Sequence, residues 1–206
     1  FAGGPPNYWV RQMAQAGPVQ DTYDNLSAHS GERFLGLQIG CLSCHDGSGH
    51  TDQISINLSG LTRMDFWKNA AFFSRGVATA QTDAGSGQRK YVLSDATSGA
   101  YRLNTTSGNK SPRQPQAGVT QVDPAFILTG ERPRPGESYR AAYGRILTAH
   151  PQFARAAVNY VWKELFGLGI VEPAASFALA RLDPNDPPAP PWAIQPTHPA
   201  LLEKLA

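Results

Sequence analysis

The sequence predicts a mainly α-helical fold with an irregular, loop-rich β-hairpin insert, on two patterns. Apolar residues recur at helical spacing as far as about Phe73 and again from Pro151. Between about Val77 and Pro135 charges are sparse, glycines and hydroxyl residues abundant, and helical periodicity absent. A third observation gives the helical part its chemistry: Cys41-Leu42-Ser43-Cys44-His45 contains both cysteines of the chain and has the spacing that attaches a c-type haem. The expected fold is therefore mainly α, a c-type haem-binding helical core carrying the β insert. Three regions follow: 1–76, the haem-binding helical region; 77–135, the loop- and β-rich middle; and 136–206, a helical region with a Pro-rich tail, all expected to fold as one compact unit.

Taken in order, Tyr8 to Met13 makes a short helix that stops near Gly17-Pro18. A second helical stretch runs from about Thr22 through Phe34, Leu35 and Leu37 toward the cysteines. Thr62 caps a third, with Asp65 three residues on and Phe66, Trp67, Ala70, Ala71 and Phe73 as its apolar face. In the middle, Tyr91-Val92-Leu93 and Tyr101-Arg102-Leu103 flank a turn-rich segment and read as a hairpin, and Ala125 to Leu128 reads as a buried strand. The basic segment Glu131-Arg132-Pro133-Arg134-Pro135-Gly136-Glu137 reads as an exposed connector, with arginines suited to haem propionates. The next helix opens at Pro151 and ends before Gly167, with Phe153, Ala157, Val158, Val161, Trp162 and Leu165 expected as its core face. A Pro-rich stretch from Leu182 to Pro199 then leads to a short final helix through Leu201, Leu202 and Leu205.

The pentapeptide is matched to its chemistry. Two thiols separated by two residues reach the two vinyl groups of a porphyrin, and the histidine that follows becomes the proximal iron ligand. The competing readings are weaker. A thioredoxin-like dithiol follows a strand and has no need of the histidine. A structural zinc site needs four ligands and would recruit two from His29, His45, His50, His150 and His198 without finger-like spacing. A disulfide closing so short a loop contributes little.

The sixth iron ligand decides what such a haem does. His50 is the first candidate, five residues after His45, a span of about 17 Å when extended. Met64, at the start of the third helix, is the second, although a methionine among aromatic residues is commonly packing. Met13 carries the same reservation. His150 and His198 each precede a proline at a helix start and, like His29, are better suited to capping; a ligand from a neighbouring subunit is a further route. Trp67, Phe72, Phe73 and Trp162 are expected to line the haem pocket.

Composition narrows the setting. A net charge of +2 leaves no electrostatic footprint for nucleic acid, and no apolar run approaches the roughly 18 residues that span a bilayer. Because haem is attached to such motifs after export, the expectation is a signal or precursor segment removed ahead of Phe1 and a periplasmic, extracellular or cell-surface location. No phosphate-binding glycine loop, nucleophile elbow or helical His pair is present. Asn25-Leu26-Ser27, Asn57-Leu58-Ser59 and Asn104-Thr105-Thr106 fit the N-glycosylation pattern, which is frequent by chance.

Four stretches carry a resemblance: Glu32 to Gln38 leading into the haem motif, Gly130 to Gly136, Pro151 to Asn159, and Phe166 to Pro173. Together they resemble the planctomycete-type cytochrome c proteins, which pair two neighbouring domains of unknown function in large exported bacterial proteins. The loop Asp46-Gly47-Ser48-Gly49-His50 is also similar to the stretch after the haem motif in that family. Its members usually extend well before the haem region and beyond Thr197-His198-Pro199, so this chain resembles a truncated or minimal core. The resemblance implies an exported haem protein more firmly than any reaction.

Three functional expectations follow. The first is an exported monohaem c-type cytochrome, an electron carrier rather than an enzyme, with one covalent haem c on Cys41, Cys44 and His45. It would pass single electrons to a redox partner protein or to neighbouring identical subunits, which implies a homo-oligomer or polymer. The second is a structural subunit of an extracellular polymer or filament in which haem mainly staples the fold. The third is a haem enzyme or gas sensor with an open distal site.

Overall fold

In chain order the residues that the computed structural model describes, 4–108 and 110–206, form α1 (Pro5–Gln12), α2 (Val19–Leu35), a 3-10 turn (Ile39–Ser43), α3 (Ile56–Ser59) and α4 (Arg63–Ala70), with a 3-10 turn (Ala71–Phe73) following. Then come β1 (Gly76–Thr82), β2 (Arg89–Asp95), β3 (Tyr101–Arg102), β4 (Gln121–Val122), α5 (Tyr139–Ala149), α6 (Pro151–Phe166), a 3-10 turn (Leu179–Arg181) and α7 (Pro199–Leu205). The processing point expected ahead of Phe1 lies outside the described residues. No helix among them is long and apolar enough to cross a membrane.

The expectation of a mainly α fold is overturned. About 40% of the chain is helical and 11% strand, a mixed α/β content whose strands form two small two-stranded sheets. β1 pairs antiparallel with the whole of β2, from Gly76 opposite Asp95 to Thr82 opposite Arg89. Asp83 closes the turn between them, its Oδ1 accepting from the Ser86 and Gly85 amides at 2.9 and 3.2 Å. β1 reads Gly-Val-Ala-Thr-Ala-Gln-Thr and is largely solvated on both faces, so it lacks the apolar alternation by which strands are recognised.

The strand partners differ from expectation as well. Tyr91 to Leu93 lies in β2, whereas β3 pairs with β4, Tyr101 opposite Val122 and Arg102 opposite Gln121. Ala125 to Leu128 is not a strand: the Ala125 amide donates to the Lys68 carbonyl at 3.1 Å and the Ile127 amide to Asn69 Oδ1 at 3.2 Å.

The chain divides into two compact units, Phe1–Ser27 with Trp67–Tyr143, and Ala28–Phe66 with Gly144–Ala206. In the first, Tyr143 gathers Phe72 and Phe73 at centroid distances of 5.3 and 5.0 Å, and Trp9 meets Phe73 edge-on at 5.8 Å. The same unit buries a charged cluster. Arg113 donates from Nη2 to Asp21 Oδ1 and Asp24 Oδ2 at 2.7 and 2.6 Å and from Nε to the Tyr101 hydroxyl at 2.8 Å; that hydroxyl donates to Asp24 Oδ1 at 2.7 Å.

The second unit packs Leu35, Leu37, Ile39, Leu42, Ile170, Val171 and Leu202. α6 starts at Pro151 under a His150 cap whose Nδ1 accepts from the Gln152 amide at 3.1 Å, and it stops at left-handed Gly167. Its inward face differs from the expected one. The buried positions are Gln152, Ala156 and Asn159, while Val161, Leu165 and Phe166 stand in solvent. Gln152 Nε2 donates to the Leu35 carbonyl at 2.7 Å, and the Asn159 amide bonds both backbone groups of Val171 at 2.8 and 2.9 Å. These polar side chains face inward because they satisfy backbone groups that would otherwise be buried without partners.

Candidate haem-attachment site

The motif occupies the 3-10 turn Ile39–Ser43 and the two residues after it, within the second unit. Leu42 and Ser43 are buried at 0% and 1% exposure, whereas Cys41, Cys44 and His45 are all partly exposed. Leu42 and Ser43 thus anchor the turn, while Cys41, Cys44 and His45 keep part of their surface accessible. Neither thiol is in a disulfide. Burial, the largest influence, holds the Cys41 thiol above its ordinary value, the reverse of the activated cysteine of a dithiol oxidoreductase.

The His45 ring is oriented by a hydrogen bond to the backbone. Its Nδ1 lies 2.8 Å from the Asp46 carbonyl oxygen, an acceptor only, so Nδ1 carries the proton and donates it. Nε2 is left with its lone pair, in the arrangement by which metal-bound imidazoles are oriented. Asp46 has a second task, its Oδ1 accepting from the Arg63 amide at 2.7 Å in the first turn of α4, while Arg63 Nη2 donates to the Ser43 carbonyl at 3.2 Å. Thr62 and Asp65 complete that helix start as expected: the Asp65 amide donates to Thr62 Oγ1 at 3.2 Å and the Thr62 amide to Asp65 Oδ2 at 3.1 Å.

A second clamp closes the loop after the histidine. The Gly47 carbonyl accepts from the Thr51 amide at 2.8 Å and the Thr51 hydroxyl at 2.9 Å, and the Gly47 amide donates to the Leu61 carbonyl at 2.8 Å. A side chain at Gly47 would overlap the Leu58 carbonyl oxygen, so this close approach requires glycine.

On this loop His50 stacks on His45, ring centroids 4.3 Å apart and planes 23° apart. Ligands on opposite sides of one metal aim their nitrogens at one another across two bonds of about 2 Å; stacked rings present their faces instead. Met64 is half-buried beside Arg63, the residue tied to both Asp46 and Ser43.

The structure brings together Cys41, Cys44, His45 and His50, with Met64 one residue from a direct tie to the motif. Met13 is 38% exposed in the first unit, His150 caps α6 and His198 precedes α7. Trp67, Phe72 and Phe73 are buried among the aromatic residues of the first unit, and Trp162 stacks on Phe166 in the second, so neither unit assembles the expected pocket. Arg132 and Arg134 also belong to the first unit.

The donor set fits a covalent haem. No three His, Cys, Asp or Glu side chains gather around one point among the described residues, and a zinc cage asks for four ligands. Attachment of haem c asks the protein for two free thiols and one imidazole. Family models, curated proteins and solved structures return no match to this chain. The site therefore rests on its own residues. The Arg63 and Asp46 ties and the Gly47–Leu61 bond escaped sequence reasoning because each joins groups far apart in the chain through backbone atoms.

Proposed function

We propose that this chain is an exported monohaem c-type cytochrome that carries single electrons and is not itself a catalyst. The observation that carries this reading is the partial exposure of Cys41, Cys44 and His45 on a turn anchored by buried Leu42 and Ser43. Each thiol would add across a vinyl group, sulfur to one carbon and its proton to the other, so that nothing is released. His45 Nε2 would take the proximal position, held in register by its Nδ1–H bond to Asp46. The bound group supplies a one-electron iron couple. The reading implies a periplasmic, extracellular or cell-surface location, and a partner that accepts the electron.

For the sixth position we favour Met64 over His50. The Gly47–Thr51 clamp closes the loop on which His50 stacks on His45, whereas Arg63, the residue before Met64, is tied to Asp46 and to the Ser43 carbonyl of the motif. Absorption and magnetic circular dichroism of the oxidised and reduced protein test both points. The reading expects a low-spin, six-coordinate spectrum that carbon monoxide leaves unchanged after reduction, retained in His50→Ala and lost in Met64→Leu. A high-spin spectrum in the unmodified protein contradicts electron transfer and redirects the search to ligand binding or catalysis.

One observation supports a self-associating version of this reading. Val161, Leu165, Phe166 and Leu168 are 60%, 71%, 63% and 70% exposed, an apolar stretch at the end of α6 and just past it on the unit that carries the motif. A second copy covering it would make the chain a subunit of an assembly in which haems pass electrons between chains. A clean monomer at micromolar concentration in physiological salt overturns that version and leaves the cytochrome reading intact.

A further inference from the structure

The first unit contains a cleft of about 740 Å³ where the end of β2, residues 123–124 and the connector 132–139 meet. Its volume lies in the range of small-molecule sites. Arg75, Arg132 and Arg134 line it together with Asp95, Asp123 and Glu137. The acids are unequally available. Both oxygens of Asp95 are engaged by Arg140 at 3.0 and 3.2 Å, and Glu137 Oε2 accepts from the Arg134 amide at 2.9 Å. Asp123 has no protein partner among the described residues.

The arginines are the opposite case. Arg75 lies 4.0 Å over the Tyr139 ring and spends Nε on the Gly99 carbonyl at 3.3 Å, which fixes the plane of its guanidinium and leaves both terminal nitrogens without an acceptor among the described residues. The guanidinium groups of Arg132 and Arg134 make no bond to any described residue. Each precedes a proline, which restricts it to extended backbone, and residues two apart on an extended chain project to the same side.

The connector is stiff where it bears these charges. Arg134-Pro135-Gly136-Glu137 is a tight turn, closed by the Glu137 amide on the Arg134 carbonyl at 3.0 Å, with proline second and left-handed Gly136 third at φ 77°. Upstream, the Phe126 amide donates to the Glu131 carbonyl at 2.8 Å. A ligand therefore meets donors that are largely placed in advance, with Pro124, Pro133 and Tyr139 as apolar wall.

We propose that this cleft binds a small hydroxylated carboxylic acid. The three arginines take the carboxylates through charge-assisted bonds, and Asp123 accepts from the hydroxyl. The cleft belongs to the first unit and residues 41–45 to the second, and the proposal stands whether or not haem binds.

Titration calorimetry of the full chain at low salt, with L-malate, succinate and inorganic phosphate as probes, tests it. Malate and succinate carry the same charge and differ by one hydroxyl. Saturable malate binding is expected, tighter than succinate or phosphate. Arg132→Gln and Arg134→Gln, both at exposed positions, should each weaken malate about tenfold or more, the loss of one charge-assisted bond, with melting unchanged. Asp123→Asn should remove the preference for malate over succinate. Exposed Lys204→Gln in the other unit serves as the charge control and should leave binding as it was. Absence of saturable malate binding overturns the proposal, as does succinate or phosphate binding as tightly as malate, or Lys204→Gln weakening it as much as Arg134→Gln.

Discussion

Arg113 Nη2 donates to Asp24 Oδ2 at 2.6 Å across 89 residues of chain, and neither side chain touches solvent. The same guanidinium also reaches Asp21, Tyr101 and Thr105, so one side chain joins the start of α2 to β3 and the loop after it. Removing it takes the ion-pair partner from two buried carboxylates, Asp21 and Asp24. Arg113→Met should destabilise the protein by about 3–5 kcal/mol in urea unfolding followed by tryptophan fluorescence. A loss below about 1 kcal/mol, the scale of an exposed pair, contradicts the role given to this cluster.

The cluster also predicts a pH dependence. Burial, the dominant cause, raises the Asp24 carboxyl from 3.8 to about 6, against the opposing pull of Arg113, the Tyr101 hydroxyl and Lys110. The folded chain binds this proton more tightly than the unfolded chain does. Asp24's contribution to stability is therefore fullest below about pH 4 and is lost as pH rises through about 6, at up to about 1.4 kcal/mol per pH unit. Asp24→Asn removes this slope, and the difference between the two stability curves isolates it from Asp21 and the other carboxylates. A flat difference between about pH 4 and 6 contradicts the assignment.

Gly47 makes the most stringent steric demand in the loop that follows His45. Gly47→Ala must part the loop from the Leu58 carbonyl and break the Leu61 bond, which should cost about 1–3 kcal/mol. The local readout is amide exchange at Thr51 and at residue 47 itself, expected to speed up by about tenfold or more as the clamp opens. Unchanged exchange at both amides contradicts the clamp.

The helix ends were legible in the sequence because each is written in adjacent residues. Thr62 with Asp65, Pro151 after His150, and Gly167 behave as their local chemistry requires. Legibility failed where long-range pairing decided the outcome. β1 carries no alternation because the hairpin is solvated on both sides, and the mixed α/β content was missed with it. On α6 the apolar stripe was read as core, yet Gln152 and Asn159 turn inward because the backbone groups of Leu35 and Val171 need them. Arg113 stands in a stretch that reads as loop, and nothing near it in the sequence announces Asp21 and Asp24.

The central claim is tested most directly by intact mass and haem staining under denaturing conditions, on protein produced by export with haem-attachment machinery. The account predicts one haem that survives denaturation and acid extraction, remains covalent through a single thioether in Cys41→Ala or Cys44→Ala, and becomes extractable in the double variant. A chain whose mass shows no haem, in a host that attaches haem to a control cytochrome, would contradict it.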